Sequence, residues 1–153
     1  MRDSTVFRRI VATYVGVAGL LRLELWPMML AVGAGFEELA RLHELSIAES
    51  VVRIANHQAN GRRVKKVHMK VGHLRQVVPS ALAFSFELVA EGTPVAGAEL
   101  EMEEVPATGM CRECGAQSEL RNFPLRCQKC GSLDLEVLEG EELLVEFLEL
   151  EEV

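Results

Sequence analysis

Cys111-Arg-Glu-Cys114 and Cys127-Gln-Lys-Cys130 give the pattern CxxC-x12-CxxC, and they use all four cysteines of the chain. Two residues between thiols let one tight turn aim both sulfurs at a single ion. Two such knuckles complete a tetrahedral four-sulfur site. Gly115 and Gly131 each follow the second cysteine of a pair, where knuckle turns often need positive φ. Zinc suits this ligand set, and iron in a rubredoxin-like site would use the same four sulfurs. Four protein ligands leave no open position, so the site is structural and not hydrolytic. The segment around it is short and poor in apolar residues, so metal binding of roughly 10–16 kcal/mol is effectively its folding energy. Phe123 and Leu125 are expected to supply what core it has. In a secreted chain the same cysteines would suggest two disulfides, whereas in the cytosol they suggest metal.

The motif is too small to account for 153 residues, which make one domain with a small satellite. Ser46-Ile-Ala-Glu49 has the form of a capping box, in which Ser accepts from the third helical N–H and Glu reaches back to the cap. Leu45, Ala48, Val51, Val52 and Ala55 follow at helical spacing, which predicts an amphipathic helix over 46–59 that Asn60-Gly61 stops. Val67, Met69 and Val71 alternate with Lys66, His68 and Lys70, a half-buried strand ending at Gly72. Pro79 can open a second helix with Leu82, Phe86 and Val89 on its apolar stripe, closed by Glu91-Gly92-Thr93-Pro94. Ala98 to Glu104 alternates as a second strand, Pro106 and Gly109 mark a linker, and Leu143 to Glu152 reads as a last strand. A lone strand leaves its backbone donors unpaired, so the last one is expected to pair with the earlier two beneath the helices. The expected fold is α+β: a small three-stranded sheet with two helices, formed by residues 42–106 plus 140–153, and an inserted zinc ribbon over 107–139.

Charge narrows the partners. Residues 1–41 carry about +1 and residues 42–153 carry −8, with eight Glu and no Lys or Arg from Glu136 onward. Such a surface repels phosphate backbones. The ribbon itself balances Arg112, Arg121, Arg126 and Lys129 against Glu113, Glu119, Asp134 and Glu136. Four thiolates on one divalent ion add about −2. A nucleic-acid-binding ribbon, the common role of such a motif, is therefore disfavoured on charge. A rubredoxin-like electron carrier is the second rival. His57, His68 and His73 read as a surface residue, a polar sheet face and a loop residue, with no second His at metal spacing. No HExxH, phosphate-binding glycine loop or catalytic triad is visible, so no catalytic apparatus is expected.

The first 41 residues do not match the rest. Their uncharged runs, Ile10–Leu21 and Leu25–Phe36, have 12 residues each, short of the ~20 needed to span a bilayer. Arg22 and Glu24 separate them, and Pro27 would disturb a helix carried through. A signal peptide, with Arg8 and Arg9 before an apolar run and small residues near Ala34, is one reading, and a structural extension is a second. The third comes from a resemblance.

His43-Glu44-Leu-Ser46-Ile-Ala-Glu49-Ser50, then Val71-Gly72-His73-Leu74, Val77, Pro79 and Leu82-Ala-Phe84-Ser-Phe86-Glu87, then Gly92-Thr93 with Gly97-Ala98-Glu-Leu100, and finally the two knuckles resemble the HypA family. These are nickel chaperones of NiFe-hydrogenase maturation. The resemblance covers residues 43–153, in the family's order. It implies a nickel-binding α+β domain with an inserted zinc ribbon, and Cys111, Cys114, Cys127 and Cys130 as ligands of a structural zinc. Family members begin Met-His-Glu and hold nickel there through the terminal amine, the backbone amides of His and Glu, and the His imidazole. Carried over, nickel as transient cargo would be held by His43 and Glu44 with the amine of residue 42. Leu42 is internal to the printed chain. The third reading is that translation starts at Leu42, from a leucine codon such as TTG or CTG that bacteria also decode as initiating Met, and that residues 1–41 are mis-assigned upstream sequence. The resemblance further implies a cytoplasmic protein, and as partners a nickel-loading GTPase and the hydrogenase large-subunit precursor. A second copy of the chain stays open as a partner, and neither nucleic acid nor membrane is expected.

Overall fold

The structure, a computed structural model, describes the backbone of residues 6–14 and 35–152 and the side chains of residues 42–152. The expected break at Arg22, Glu24 and Pro27 lies outside the described residues. Among the described residues, no helix is long and apolar enough to cross a membrane.

Among the described residues ten elements follow in order: β1 (Val6–Tyr14), α1 (Gly35–Ala59), β2 (Val64–Gly72), a 3-10 turn (His73–Arg75), α2 (Pro79–Ala90), β3 (Glu99–Val105), β4 (Thr108–Cys111), β5 (Gln117–Glu119), β6 (Leu135–Glu139) and β7 (Leu143–Leu150). The three expected strands form one sheet in the order β7-β2-β3, and β1 adds a fourth strand on the outer side of β7. β2 and β3 run parallel and β7 runs antiparallel to β2. A parallel pair needs a crossover, and α2 supplies it.

α1 differs from expectation at its start. The helix runs from Gly35, so Ser46 lies inside it and does not cap it. Phe36-Glu-Glu-Leu-Ala-Arg-Leu42 contains good helix formers and no proline, so nothing in the local sequence stops the helix before Ser46. Its end is as expected: Asn60 and Gly61 have φ of 50° and 81°, left-handed values that terminate a helix. Pro79 occupies the first turn of α2, where its missing N–H costs nothing.

Both helices contribute apolar faces to one core with the sheet. Ile47, Ala48, Val51, Val52 and Ala55 of α1 meet Leu82 and Phe86 of α2 and Val67, Met69, Val145 and Leu148 of the sheet. Phe86 is 1% exposed, a burial worth roughly 2–3 kcal/mol. The opposite sheet face carries a charged ladder: Lys66 pairs with Glu99 and Glu101, and Lys70 with Glu146. His68 lies between Glu101 at 3.3 Å and Glu149 at 2.7 Å and stacks on Phe147. The expected polar sheet face is therefore there, with His68 paired within it.

β4, β5 and β6 form a second sheet in the order β5-β4-β6. Gly109, expected in a linker, lies within β4. A side chain there would press on Leu120, 2.9 Å from the position of its Cβ, so glycine admits Leu120 to the small core. The chain passes from the larger sheet to the second one and back at a tight crossing. Gly72 donates to Glu142 at 2.7 Å and Leu74 to Gly140 at 2.8 Å. Gly140 holds φ of 104°, and a Cβ on it would lie 2.5 Å from Cα of Ala107.

Candidate metal centres

β4 ends at Cys111 and delivers the first knuckle. Gly115 donates to the Cys111 carbonyl at 2.8 Å, and Cys111 donates to Ala116 at 2.9 Å. The second knuckle repeats the pattern: Gly131 donates to Cys127 at 2.9 Å, and Cys127 to Ser132 at 2.8 Å. Gly115 and Gly131 hold φ of 70° and 77°, the positive values that such turns need. Cys111 and Cys127 are buried, and Cys114 and Cys130 are exposed.

The four sulfurs converge within 4.8 Å of one another. Sγ of Cys111 lies 3.6 Å from that of Cys130, and Cys114 lies 3.6 Å from Cys127. A disulfide would need about 2.0 Å, so the thiols are gathered without being joined. The edge of a sulfur tetrahedron with 2.3 Å metal bonds is about 3.8 Å, and the observed spacing fits an ion of that size.

Their acidities agree with a shared charge. Backbone N–H groups of Cys130 and Lys129 hold the Cys127 thiol down at about 6. At Cys130 the Ser132 amide also favours the thiolate, but the neighbouring thiols Cys111, Cys114 and Cys127, with burial, push it up to about 12. One sulfur ionises readily and another resists a second negative charge beside it. A cation among them removes that conflict.

The ribbon's core differs from expectation. Phe123 is 59% exposed and Leu125 is partly buried, while Leu120 is 2% and Ala107 1% exposed. Leu120 follows β5 and its N–H donates to Ala107 at 2.8 Å, which turns its side chain inward. Phe123 sits in the loop beyond and faces the cleft between ribbon and α2. Of the ribbon cations, Arg121 pairs with Glu119 at 2.7 Å, and Arg112 lies 3.9 Å from Glu136.

His43 and Glu44 lie side by side in α1, with Nδ1 of His43 4.0 Å from Oε1 of Glu44. They face different environments. His43 is half-exposed, whereas Glu44 is 2% exposed. Its Oε1 accepts from Val78 N–H at 3.2 Å, at the residue that precedes α2, and its Oε2 has no protein partner. Inside a helix each amide N–H points to the carbonyl four residues earlier. In this arrangement the amides at 43 and 44 serve the helix. The Glu44 side-chain contact was not visible in sequence, because Val78 is 34 residues away and carries no distinctive motif.

The family model "Hydrogenase/urease nickel incorporation, metallochaperone, hypA" matches residues 42–150. The chain belongs to the HypA family. Among HypA proteins, the hydrogenase maturation factor HypA of Geotalea uraniireducens is 44% identical over 110 residues, 72% of this chain and 100% of that protein. The hydrogenase maturation factor HypA of Trichormus variabilis is 39% identical over 112 residues, 73% of this chain and 98% of that one. The fold is likewise similar to the solution structure of the Ni metallochaperone HypA from Helicobacter pylori. That likeness has a TM-score of 0.51 at 20% identity and covers 70% of this chain and 96% of that chain. A second HypA solution structure gives a TM-score of 0.54 at 21% identity, covering 72% and 97%. HypA membership agrees with the sequence resemblance, and the α+β fold beside a four-cysteine cluster is what that resemblance implied.

Proposed function

We propose that this protein is a cytoplasmic nickel carrier that binds Ni(II) and delivers it during NiFe-hydrogenase maturation, a carrier and not a catalyst. The observation that carries the reading is the family match over residues 42–150, which opens on Leu42-His43-Glu44. Residues 42–106 with 140–153 form the nickel-binding part, and 107–139 the ribbon. Cys111, Cys114, Cys127 and Cys130 hold a structural zinc, which supports a rigid platform for docking. The partners are a nickel-loading GTPase and the hydrogenase large-subunit precursor.

Nickel is cargo, and its ligands are the amine of residue 42, the amides of 43 and 44, and the His43 imidazole. Consecutive nitrogens close small chelate rings, and nitrogen ligands in one plane suit Ni(II). A terminal amine with a pKa near ~8 gives up its proton to the metal around neutral pH. This set requires a chain that begins at residue 42, decoded as Met. α1 would then start after Glu44, and Ser46 with Glu49 would serve as the capping box that the longer helix leaves unused. Weak, exchangeable binding suits delivery.

The test compares nickel binding by residues 42–153, begun with Met, and by the full 153-residue chain. The short chain is expected to bind one Ni(II) with a square-planar absorption band that His43→Ala abolishes. Intact mass of the protein made from its own gene and upstream region is expected to show a start at 42. Equal binding by both chains would overturn the amine-based site. An absorption spectrum with the red bands of iron thiolate, reversibly bleached on reduction, would favour the rubredoxin-like carrier.

A further inference from the structure

His73 stands where the ribbon meets the larger sheet, and its two ring nitrogens face acceptors from different parts of the molecule. Nδ1 lies 2.9 Å from Oε1 of Glu104 on β3, and Nε2 lies 3.3 Å from the Arg121 carbonyl oxygen in the ribbon. A neutral imidazole has one N–H and one lone pair, so it serves only one of two acceptors. The imidazolium donates to both. We propose that His73 is a pH-dependent latch: doubly protonated, it ties the four-cysteine ribbon to the end of the sheet, and on losing a proton it lets the ribbon turn.

The direction of release follows from the partners. Glu104 is a carboxylate and the stronger acceptor, so a neutral ring keeps its N–H on Nδ1. Nε2 then presents a lone pair to the Arg121 carbonyl, and that contact becomes repulsive. The ribbon joins the larger part through two chain connections, at Ala107 and Gly140, which lie against each other, with the Gly140 carbonyl accepting from Leu74 N–H at 2.8 Å. Two adjacent connections form a hinge, and His73 contacts the ribbon beyond it.

The charged groups around the ring favour its protonated form. Glu104 faces it from β3 and Glu119 from β5. The Arg121 guanidinium, which would oppose it, is bound to Glu119 at 2.7 Å. On its own turn, Arg75 donates instead to the Glu141 carbonyl at 2.6 Å. The Glu104 hydrogen bond, and then the Arg121 carbonyl, raise the pKa of His73 above the ordinary imidazole value. A raised value means that the latch contributes fully below the ordinary pKa of ~6.5 and is lost as pH rises through the raised one. The side chain is 40% exposed, so bulk protons reach it directly.

The latch borders a cleft of about 640 Å³ with Val71, Val77, Pro79 and Met102 on the sheet-and-helix side and Phe123 on the ribbon side. Val77 and Pro79 flank Val78, the residue held by Glu44. A turn of the ribbon therefore reshapes the cleft that Val77 and Pro79 line on either side of the residue held by Glu44. The latch itself stands whether or not nickel binds at His43.

The experiment is nuclear magnetic resonance on the full, zinc-loaded chain across pH. It follows the His73 ring resonances together with backbone residual dipolar couplings from both sheets. Below the His73 midpoint one alignment frame is expected to fit both sheets. Above it two frames are expected, with the change centred on the His73 midpoint. Glu104→Gln should move both midpoints to lower pH together, and His73→Gln should abolish the pH dependence while the ribbon stays folded. The proposal is overturned if one frame holds across the whole His73 titration, if the change of frame persists in His73→Gln, or if His73 titrates at or below the ordinary imidazole value.

Discussion

Among the described residues, Glu44 is the buried charged side chain of the helical layer, 2% exposed. One carboxylate oxygen takes the Val78 N–H where α2 begins, and the other is buried without a protein partner. The first N–H groups of a helix have no partner within it, and α2 has no side-chain cap from its own N-cap residue. The carboxylate therefore joins α1 to the start of α2. Glu44→Ala is expected to leave the Val78 N–H unpaired and to open a gap between the helices, costing about 1–3 kcal/mol. A lower urea midpoint with unchanged slope would register this, and an unchanged midpoint would show that the contact contributes nothing. Residues of this kind are hard to read from sequence. The four cysteines announce themselves through local spacing. Glu44 and His73 act through partners 34 and 31 residues away, and nothing near either residue marks the partner.

Elements whose ends are set by local chemistry were the legible ones. Pro79 starts α2, Asn60-Gly61 ends α1, and the alternation of Val67, Met69 and Val71 sets the buried face of β2. The start of α1 was not legible, because a capping box only caps where the preceding residues leave the helix, and those from Gly35 onward continue it. The Gly109 linker failed for a related reason. Glycine in a strand and glycine in a linker look alike until the neighbour that needs the space, here Leu120, is known. Gly140 can be tested against Gly92 on the same ground. Both have positive φ, 104° and 73°, but a Cβ at Gly92 meets nothing within 4 Å whereas one at Gly140 strikes Ala107. Gly92→Ala should cost about 1–2 kcal/mol, the left-handed penalty alone. Gly140→Ala adds overpacking of about 1–3 kcal/mol against backbone that cannot step aside. Thermal midpoints of the two variants should therefore differ, with Gly140→Ala the lower. Equal losses would mean that the crossing is looser than its contacts.

At the scale of the whole molecule, stability has two sources. The large buried cluster draws on α1, α2, β2, β7 and the segment before β3, and includes no residue between 107 and 139. The ribbon instead has Ala107, Gly109, Cys111, Leu120 and Cys127 as its buried residues. Ordering the ribbon's backbone carries a conformational cost that five buried residues, with Leu120 the one large aliphatic side chain among them, do little to offset. The structural zinc proposed above would then be the ribbon's main stabilising contribution, since metal binding at sites of this kind is worth roughly 10–16 kcal/mol. Removing it should therefore unfold one part and spare the other. With a chelator and a thiol reductant, amide protection is expected to vanish in β4, β5 and β6 while β2 and β7 keep theirs, and Cys114→Ser should act in the same direction. The contact of His73 with Arg121 would be lost with the ribbon, so His73 in the chelated protein should titrate closer to the ordinary imidazole value while Glu104 still holds it above. Protection that persists in β4 to β6 after the metal has left would place the ribbon's folding energy in its side chains. Loss of protection throughout would join the two parts into one cooperative unit, with the crossing at Gly72, Gly140 and Ala107 as the coupling between them.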